Sequence, residues 1–184
     1  MKIGLLGGAF DPPHIGHILI AQQALDFAGF DEVWFVPTNK HTFQKPMSVV
    51  EDRLAMTRCI TFPNIAVSTL EIDNNLSGQT IELLSHLPKE HEYGFIIGSD
   101  QLPTFHLWGQ WQELLKSMHF FVFPRYGYPN EPLYEHMTMI SHEYLVASNC
   151  SSTKIRSRIK LGLSVESFVP QGVARYIKEH RLYI

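Results

Sequence analysis

Gly7-Gly8-Ala9-Phe10-Asp11-Pro12-Pro13-His14-Ile15-Gly16-His17 is the stretch on which the reading of this chain turns. Before it, Lys2-Ile3-Gly4-Leu5-Leu6 is a short apolar run with the character of a buried strand. After it, Ile18 to Ala28 predicts a helix closed by Gly29. The stretch is therefore a strand-to-helix crossing. Paired glycines at a strand end let the backbone turn tightly and leave room for a ligand atom beside the N–H groups. The helix that follows directs unpaired amides and a positive dipole end at the same space, which suits an anion. His14 and His17, three apart, fall on one face of the first helical turn, where both can point at a single phosphate. The same pair could be half of a metal site, or a capping and packing feature. Gly16 between them leaves a flat surface for a base.

Composition narrows the alternatives. With 184 residues, 45% of them hydrophobic, the chain can bury the core of one domain, with at most a small appendage. A net charge of −3 and a pI near 6.3 give no broad basic surface for nucleic acid, so any phosphate binding rests on a local cluster. Cys59 and Cys150 form no CxxC and no secreted framework, which points to a reducing cytoplasm. The N-terminal apolar run is too short and glycine-rich for a signal peptide, and no stretch approaches the ~20 apolar residues of a membrane span.

Strand-like and helix-like segments alternate along the chain. Glu32 to Val36, stopped by Pro37, is a second strand, and Ile65 to Ser68 a weaker third. Tyr93 to Ile97, His119 to Phe123 and part of Met137 to Val146 supply the others. Ser48-Val49-Val50-Glu51 has the capping-box pattern of a helix running to about Ile60. Gly78-Gln79-Thr80 leads into a helix ending near Leu87, and Trp111, Leu114 and Leu115 mark another. The pattern is again helical from Ser152 to Leu161, closed by Gly162, and from about Pro170 to His180. This alternation predicts an α/β fold, a Rossmann-like, doubly wound, mostly parallel sheet with helices on both faces. Ligands of such sheets sit beyond the carboxyl ends of the strands, where the loops singled out here also fall.

A second informative stretch is Cys150-Ser151-Ser152-Thr153-Lys154-Ile155-Arg156. Hydroxyls at a helix start followed by Lys154 and Arg156 suit a pyrophosphate leaving group, although an ordinary capped basic helix has the same composition. Cys150, before the serines, packs as a small hydrophobe.

The first stretch resembles the GxFDPxHxGH signature of the HIGH-motif nucleotidyltransferase superfamily, and the second its SSTxIR partner, in the right order. Ile97-Gly98-Ser99-Asp100, Phe105-His106-Leu107-Trp108, Arg125-Tyr126-Gly127-Tyr128-Pro129 and the tail from Val169-Pro170 to Leu182-Tyr183 extend the likeness over nearly the whole chain. The set resembles bacterial nicotinate mononucleotide adenylyltransferases. It implies one nucleotidyltransferase domain over 1–184, with the C-terminal helices from about 152 completing an ATP site.

The reaction implied is adenylyl transfer from ATP to nicotinate mononucleotide, giving deamido-NAD and pyrophosphate. The resemblance assigns His14, His17 and Arg156 to catalysis. It assigns Gly8, Phe10, Gly16, Gly98, Asp100, Ser152, Ile155 and Arg156 to ATP, and Thr80, Trp108, Gly109 and Lys45 to the acceptor. Mg²⁺ is implied on the phosphates, held by substrate oxygens and water, with no carboxylate cage and no protein metal ligands. The partners implied are ATP and a pyridine mononucleotide, with no nucleic acid and no membrane, and self-association into a homo-oligomer is left open.

Two departures from the family pattern bear on the acceptor. Gly78-Gln79-Thr80 stands where Ser-Tyr-Thr is common, and Gly109 follows Trp108 where another aromatic is frequent. Trp108 could also be core, and Thr80 only a helix cap. Another acceptor, nicotinamide mononucleotide or phosphopantetheine, shares the phosphate motifs. A phosphopantetheine enzyme usually has Thr at the place of His14, and a class I aminoacyl-tRNA synthetase would add a KMSKS-like segment. A non-catalytic nucleotide-binding module is opposed by the retention of His14, His17, Asp100, Ser152 and Arg156.

Overall fold

The structure, a computed structural model, describes residues 1–40 and 46–184; Lys45, expected beside the acceptor, lies outside the described residues. Six strands form one sheet: β1 Lys2–Gly8, β2 Glu32–Pro37, β3 Ile65–Val67, β4 Glu92–Gly98, β5 His119–Phe123 and β6 Met137–Met139. Their order is β3-β2-β1-β4-β5-β6, and every neighbouring pair is parallel. Gly4 of β1 faces Val33 on one side and Gly94 on the other. The order reverses direction between β1 and β4, which opens a crevice at their carboxyl ends.

The central strands read as continuous apolar runs because both their faces are buried. Side chains alternate across a strand, so one run feeds two cores. Leu6, Phe35, Ile96, Phe121 and Phe123 join Ala21, Met56, Ile155, Val173 and Ile177 on one face. Leu5, Val36, Phe95, Ile97, Phe120 and Val122 join Leu83, Phe105 and Leu114 on the other. The first face is covered by α1 Ile15–Phe27, α2 Val50–Arg58, α6 Ser152–Lys160 and α7 Gln171–Glu179. The second carries α4 Thr80–Leu84, α5 Trp111–Ser117 and a 3₁₀ segment, Ser99–Leu107. The 3₁₀ segment and the short α3, Leu70–Asp73, have no counterpart in the sequence-based reading.

The capping box expected at Ser48 is absent. The helix starts at Val50, and its N-cap Val49 makes no side-chain bond. Ser48 is drawn into tertiary contacts instead: its N–H donates to Asp11 Oδ2 at 3.1 Å and its carbonyl accepts Arg53 Nε at 3.0 Å. Arg53 is 1% exposed and also donates to the carbonyls of Ala9 at 2.9 Å and Thr38 at 2.8 Å. One buried guanidinium thus ties together the loops that leave β1 and β2, using its fork of donors on carbonyls that would otherwise go unpaired. Burial lowers its pKa from the ordinary value, and the nearby Asp11 and Glu71 charges oppose that.

Candidate active site

Gly7 and Gly8 do not turn the chain. They remain in β1, paired with Val36 and Pro37, and the turn expected of them falls at Phe10, whose φ is +50°. Gly7 serves close approach, since a Cβ there would lie 2.9 Å from Phe95 Cζ. Phe10 is 1% exposed, its ring packed on Phe35 and on His17 at centroid distances of 5.4 and 4.7 Å.

The two histidines cap their own helix. His14 is the N-cap, its Nδ1 accepting the Gly16 N–H at 3.1 Å, while His17 Nδ1 accepts the His14 N–H at 3.1 Å. This reciprocal capping starts α1 at Ile15 rather than Ile18. The rings lie 3.8 Å apart at 32°. Burial, with the charge of Arg125 added, brings the His14 pKa down to about 3. His17 is held well below its usual value by burial first, then by His14 and Arg125. Both are therefore neutral at neutral pH, and since each Nδ1 is an acceptor, each ring proton sits on Nε2. The capping bonds make both imidazoles Nε2–H donors.

Gly16 does not leave an open surface for a base. A Cβ there would meet the His14 ring at 3.0 Å and the Cys150 carbonyl at 3.5 Å, so the space is filled by the second motif and the first histidine.

The two motifs are bonded to each other. Ser151, not Ser152, is the N-cap of α6, accepting the Lys154 N–H at 3.3 Å. Ser152 Oγ donates to the Pro12 carbonyl at 2.9 Å and Arg156 Nη1 to the Asp11 carbonyl at 2.6 Å. Ile155 is 1% exposed in the core, with its N–H on the Ser151 carbonyl. Its side chain therefore supports α6 and does not face a ligand. Asp11, 3% exposed, is held on its other oxygen by the Tyr183 hydroxyl at 2.6 Å.

A cavity of about 330 Å³ opens at the crevice between β1 and β4. Gly8, His17, Thr80, Gly98, Asp100, Trp108 and Gly109 line it; His14, Phe10, Gly16, Ser152, Ile155 and Arg156 lie outside its wall. The structure separates the histidines, with His17 at the surface of the cavity and His14, 2% exposed, behind it. Trp108 is both wall and core: it lines the cavity and packs on Phe105 at 5.1 Å and Phe95 at 6.1 Å. Thr80 is the first residue of α4 and not its cap, which is Gln79.

Two charged lining residues carry no site role in the sequence reading. Arg125 follows β5, and its Nε lies 2.9 Å from Asp100 Oδ1. Asp100 Oδ2 accepts Gln101 Nε2 at 2.9 Å, and Arg125 Nη1 donates to the Cys150 carbonyl at 3.3 Å. Gly98 makes the ion pair possible, because a Cβ there would overlap Asp100 Oδ1. Glu71, 6% exposed, accepts from Thr38 Oγ1 at 3.0 Å and from the Asn39 N–H at 3.1 Å, and burial raises its pKa. The place of Arg125 in a family-like stretch was the signal for the first, and an isolated Glu after a weak strand gave none for the second.

A six-stranded parallel sheet with phosphate-suited motifs at its switch point defines a class: the chain is a nucleotidyltransferase of the cytidylyltransferase-like family, whose model matches residues 5–158. A "probable nicotinate-nucleotide adenylyltransferase" of Halalkalibacterium halodurans is 40% identical over 192 residues, covering 99% of this chain and 91% of the relative. One of the same description from Lactiplantibacillus plantarum is 38% identical over 189 residues, covering 99% and 88%. Within the class, this chain belongs to the nicotinate-nucleotide adenylyltransferase family. The fold is shared with the nicotinic acid mononucleotide adenylyltransferase of Plasmodium falciparum in complex with NaAD, at a TM-score of 0.85 and 18% identity, covering 99% of this chain and 97% of that one.

Proposed function

We propose that this protein transfers the adenylyl group of ATP to nicotinate mononucleotide, forming deamido-NAD and releasing pyrophosphate, a step of NAD biosynthesis. The reading rests on the reciprocal capping that presents His17 as a neutral Nε2–H donor on the cavity wall at the switch point. A phosphate oxygen of the mononucleotide attacks the α-phosphorus, one P–O bond forms, and the bond to the β-phosphate oxygen breaks. The nucleophile is already anionic near neutral pH, so positioning and charge stabilisation carry the catalysis.

His17 donates to the α-phosphate, His14 stacked behind it holds its ring and is the second donor, and Gly8 and Phe10 offer backbone N–H groups. Ser152 and Arg156 hold the β and γ phosphates, reaching them from the loop whose carbonyls they now bind. Residues 1–184 act as one domain, the helices from about 152 completing this side. Asp100 takes the adenosine ribose, with Arg125 beside it. Trp108 gives the pyridine ring a stacking face, and Thr80 and Gly109 flank it.

Among the described residues no group of three or more His, Cys, Asp or Glu could hold a metal ion. Magnesium would enter on the ATP phosphates, held by substrate oxygens and water. No described helix is long and apolar enough to cross a membrane. The free Cys59 at the surface supports a reducing cytoplasm as the compartment.

A pyrophosphate-release assay with ATP and a panel of acceptors tests the reading. Nicotinate mononucleotide should be the best acceptor, and release with none of the pyridine mononucleotides would refute it.

A further inference from the structure

The two departures from the family pattern, Gln79 and Gly109, are one feature. They lie thirty positions apart, on α4's N-cap and beyond the 3₁₀ segment, yet both line the cavity beside Trp108 and Thr80. A Cβ at position 109 would overlap Gln79 Oε1 and come within 3.0 Å of its Cδ. The side chain missing at 109 is thus the space that the Gln79 carboxamide fills. Gln79 is half-buried, makes no cap bond to its helix, and among the described residues its amide has no hydrogen-bond partner. A half-buried amide on a cavity wall with donor and acceptor capacity unspent is suited to bind a ligand group.

We propose that Gln79 reads the ring substituent of the acceptor and so sets the preference among pyridine mononucleotides; this rests on the adenylyl-transfer reading above. With Trp108 supplying the stacking face, the neighbouring Gln79 Nε2–H groups meet whatever the ring carries. A carboxylate receives charge-assisted hydrogen bonds there, and a carboxamide only neutral ones. Gly109 has the supporting role of leaving Gln79 its place.

Acid and amide mononucleotides are to be compared as acceptors, kcat and KM separately, in wild type, Gln79→Ala, Gln79→Glu, Gly109→Ala and the double variant Gln79→Ala/Gly109→Ala. Gln79→Ala should raise KM for the acid about 10-fold with little change in kcat. Gln79→Glu is isosteric, accepts but does not donate, and repels a carboxylate; it should lower the acid-to-amide ratio of kcat/KM by roughly 10²-fold. Gly109→Ala displaces the carboxamide and should shift the ratio as Gln79→Ala does, while adding little in the double variant. A merely structural Gln79 would depress both acceptors alike. A ratio unchanged within about twofold in Gln79→Ala and Gln79→Glu overturns the proposal alone. A wild type that uses neither mononucleotide overturns the underlying reading and this inference with it.

Discussion

Arg125 and Asp100 face each other across the carboxyl ends of β5 and β4, Nε to Oδ1 at 2.9 Å, with side chains only 18% and 26% exposed. Burial holds down the basicity of both histidines, and the same guanidinium adds to it. One cation therefore links the Asp100 carboxylate, the His pair and the Cys150 carbonyl before α6. Arg125→Ala should raise KM for ATP by about 10- to 10²-fold, the size of a charge-assisted contact of roughly 1.5 to 3 kcal/mol, with KM for the mononucleotide much less affected. ATP titrations at saturating acceptor decide it, and a KM within twofold of wild type counts against the assignment.

In the proposed reaction His17 donates where charge develops on the α-phosphate. His17→Ala should lower kcat by on the order of 10²- to 10³-fold while leaving ATP binding comparatively intact. Single-turnover rates with calorimetric ATP affinities separate the two effects, and turnover within a few-fold of wild type would end the role.

Both imidazoles are neutral in the folded protein, so below the ordinary imidazole pKa of 6.5 the unfolded chain binds more protons than the folded one. Stability is full above that pH and falls as pH drops toward about 3, the folded value for His14. Between pH 7.5 and 5 His14 alone should cost roughly 2 kcal/mol, and His14→Asn should remove that part of the slope. Urea unfolding of both proteins at the two pH values measures it; parallel pH dependences would contradict it.

Arg156 stands on the Asp11 carbonyl in this structure, and the triphosphate is its proposed second partner. Arg156→Ala should impair ATP by roughly 1.5 to 3 kcal/mol and the mononucleotide far less. Equal effects on KM for both substrates would make it a support for the loop only.

Trp108→Ala should weaken acid and amide mononucleotides together, since it removes the stacking face proposed for both, by about 1 to 3 kcal/mol of stacking. Thr80→Ala, at the start of α4 beside that face, should instead narrow the gap between the two acceptors. Fluorescence titrations of each variant with each mononucleotide check both; selectivity lost in Trp108→Ala but kept in Thr80→Ala would reverse these roles.

The sheet was legible because β1, β4 and β5 are unbroken apolar runs bounded by turn residues, the mark of strands buried on both faces. The motif histidines and the Ser151 cap act within a few residues of themselves, a spacing the sequence displays, whereas the bonds of Ser152 and Arg156 to Pro12 and Asp11 cross nearly the whole chain. Arg125, Glu71 and the Gln79–Gly109 contact were not legible, because their partners are set by topology and not by spacing. Ser48 shows how a cap was misassigned, and His14 takes up the capping alternative that the sequence had left open. Serine with Glu three residues on is the usual box, yet Asp11 and Arg53 claim Ser48, while histidine, outside the usual cap residues, does the capping at α1. The turn at Phe10 was hidden because glycine is the expected bearer of positive φ and stands next to it.

The bond from the Tyr183 hydroxyl to Asp11 spans 172 positions of chain. At ribosomal speeds of about 5 to 20 residues per second, something like 10 to 30 seconds separate the synthesis of the two residues. A nascent chain carries both histidines and the whole parallel sheet before Tyr183 exists, yet its Asp11 loop lacks one of the side chains that hold it. Translation order thus makes the most N-terminal part of the site the last to be secured, and a product broken off before Tyr183 would have the motif without its final tether.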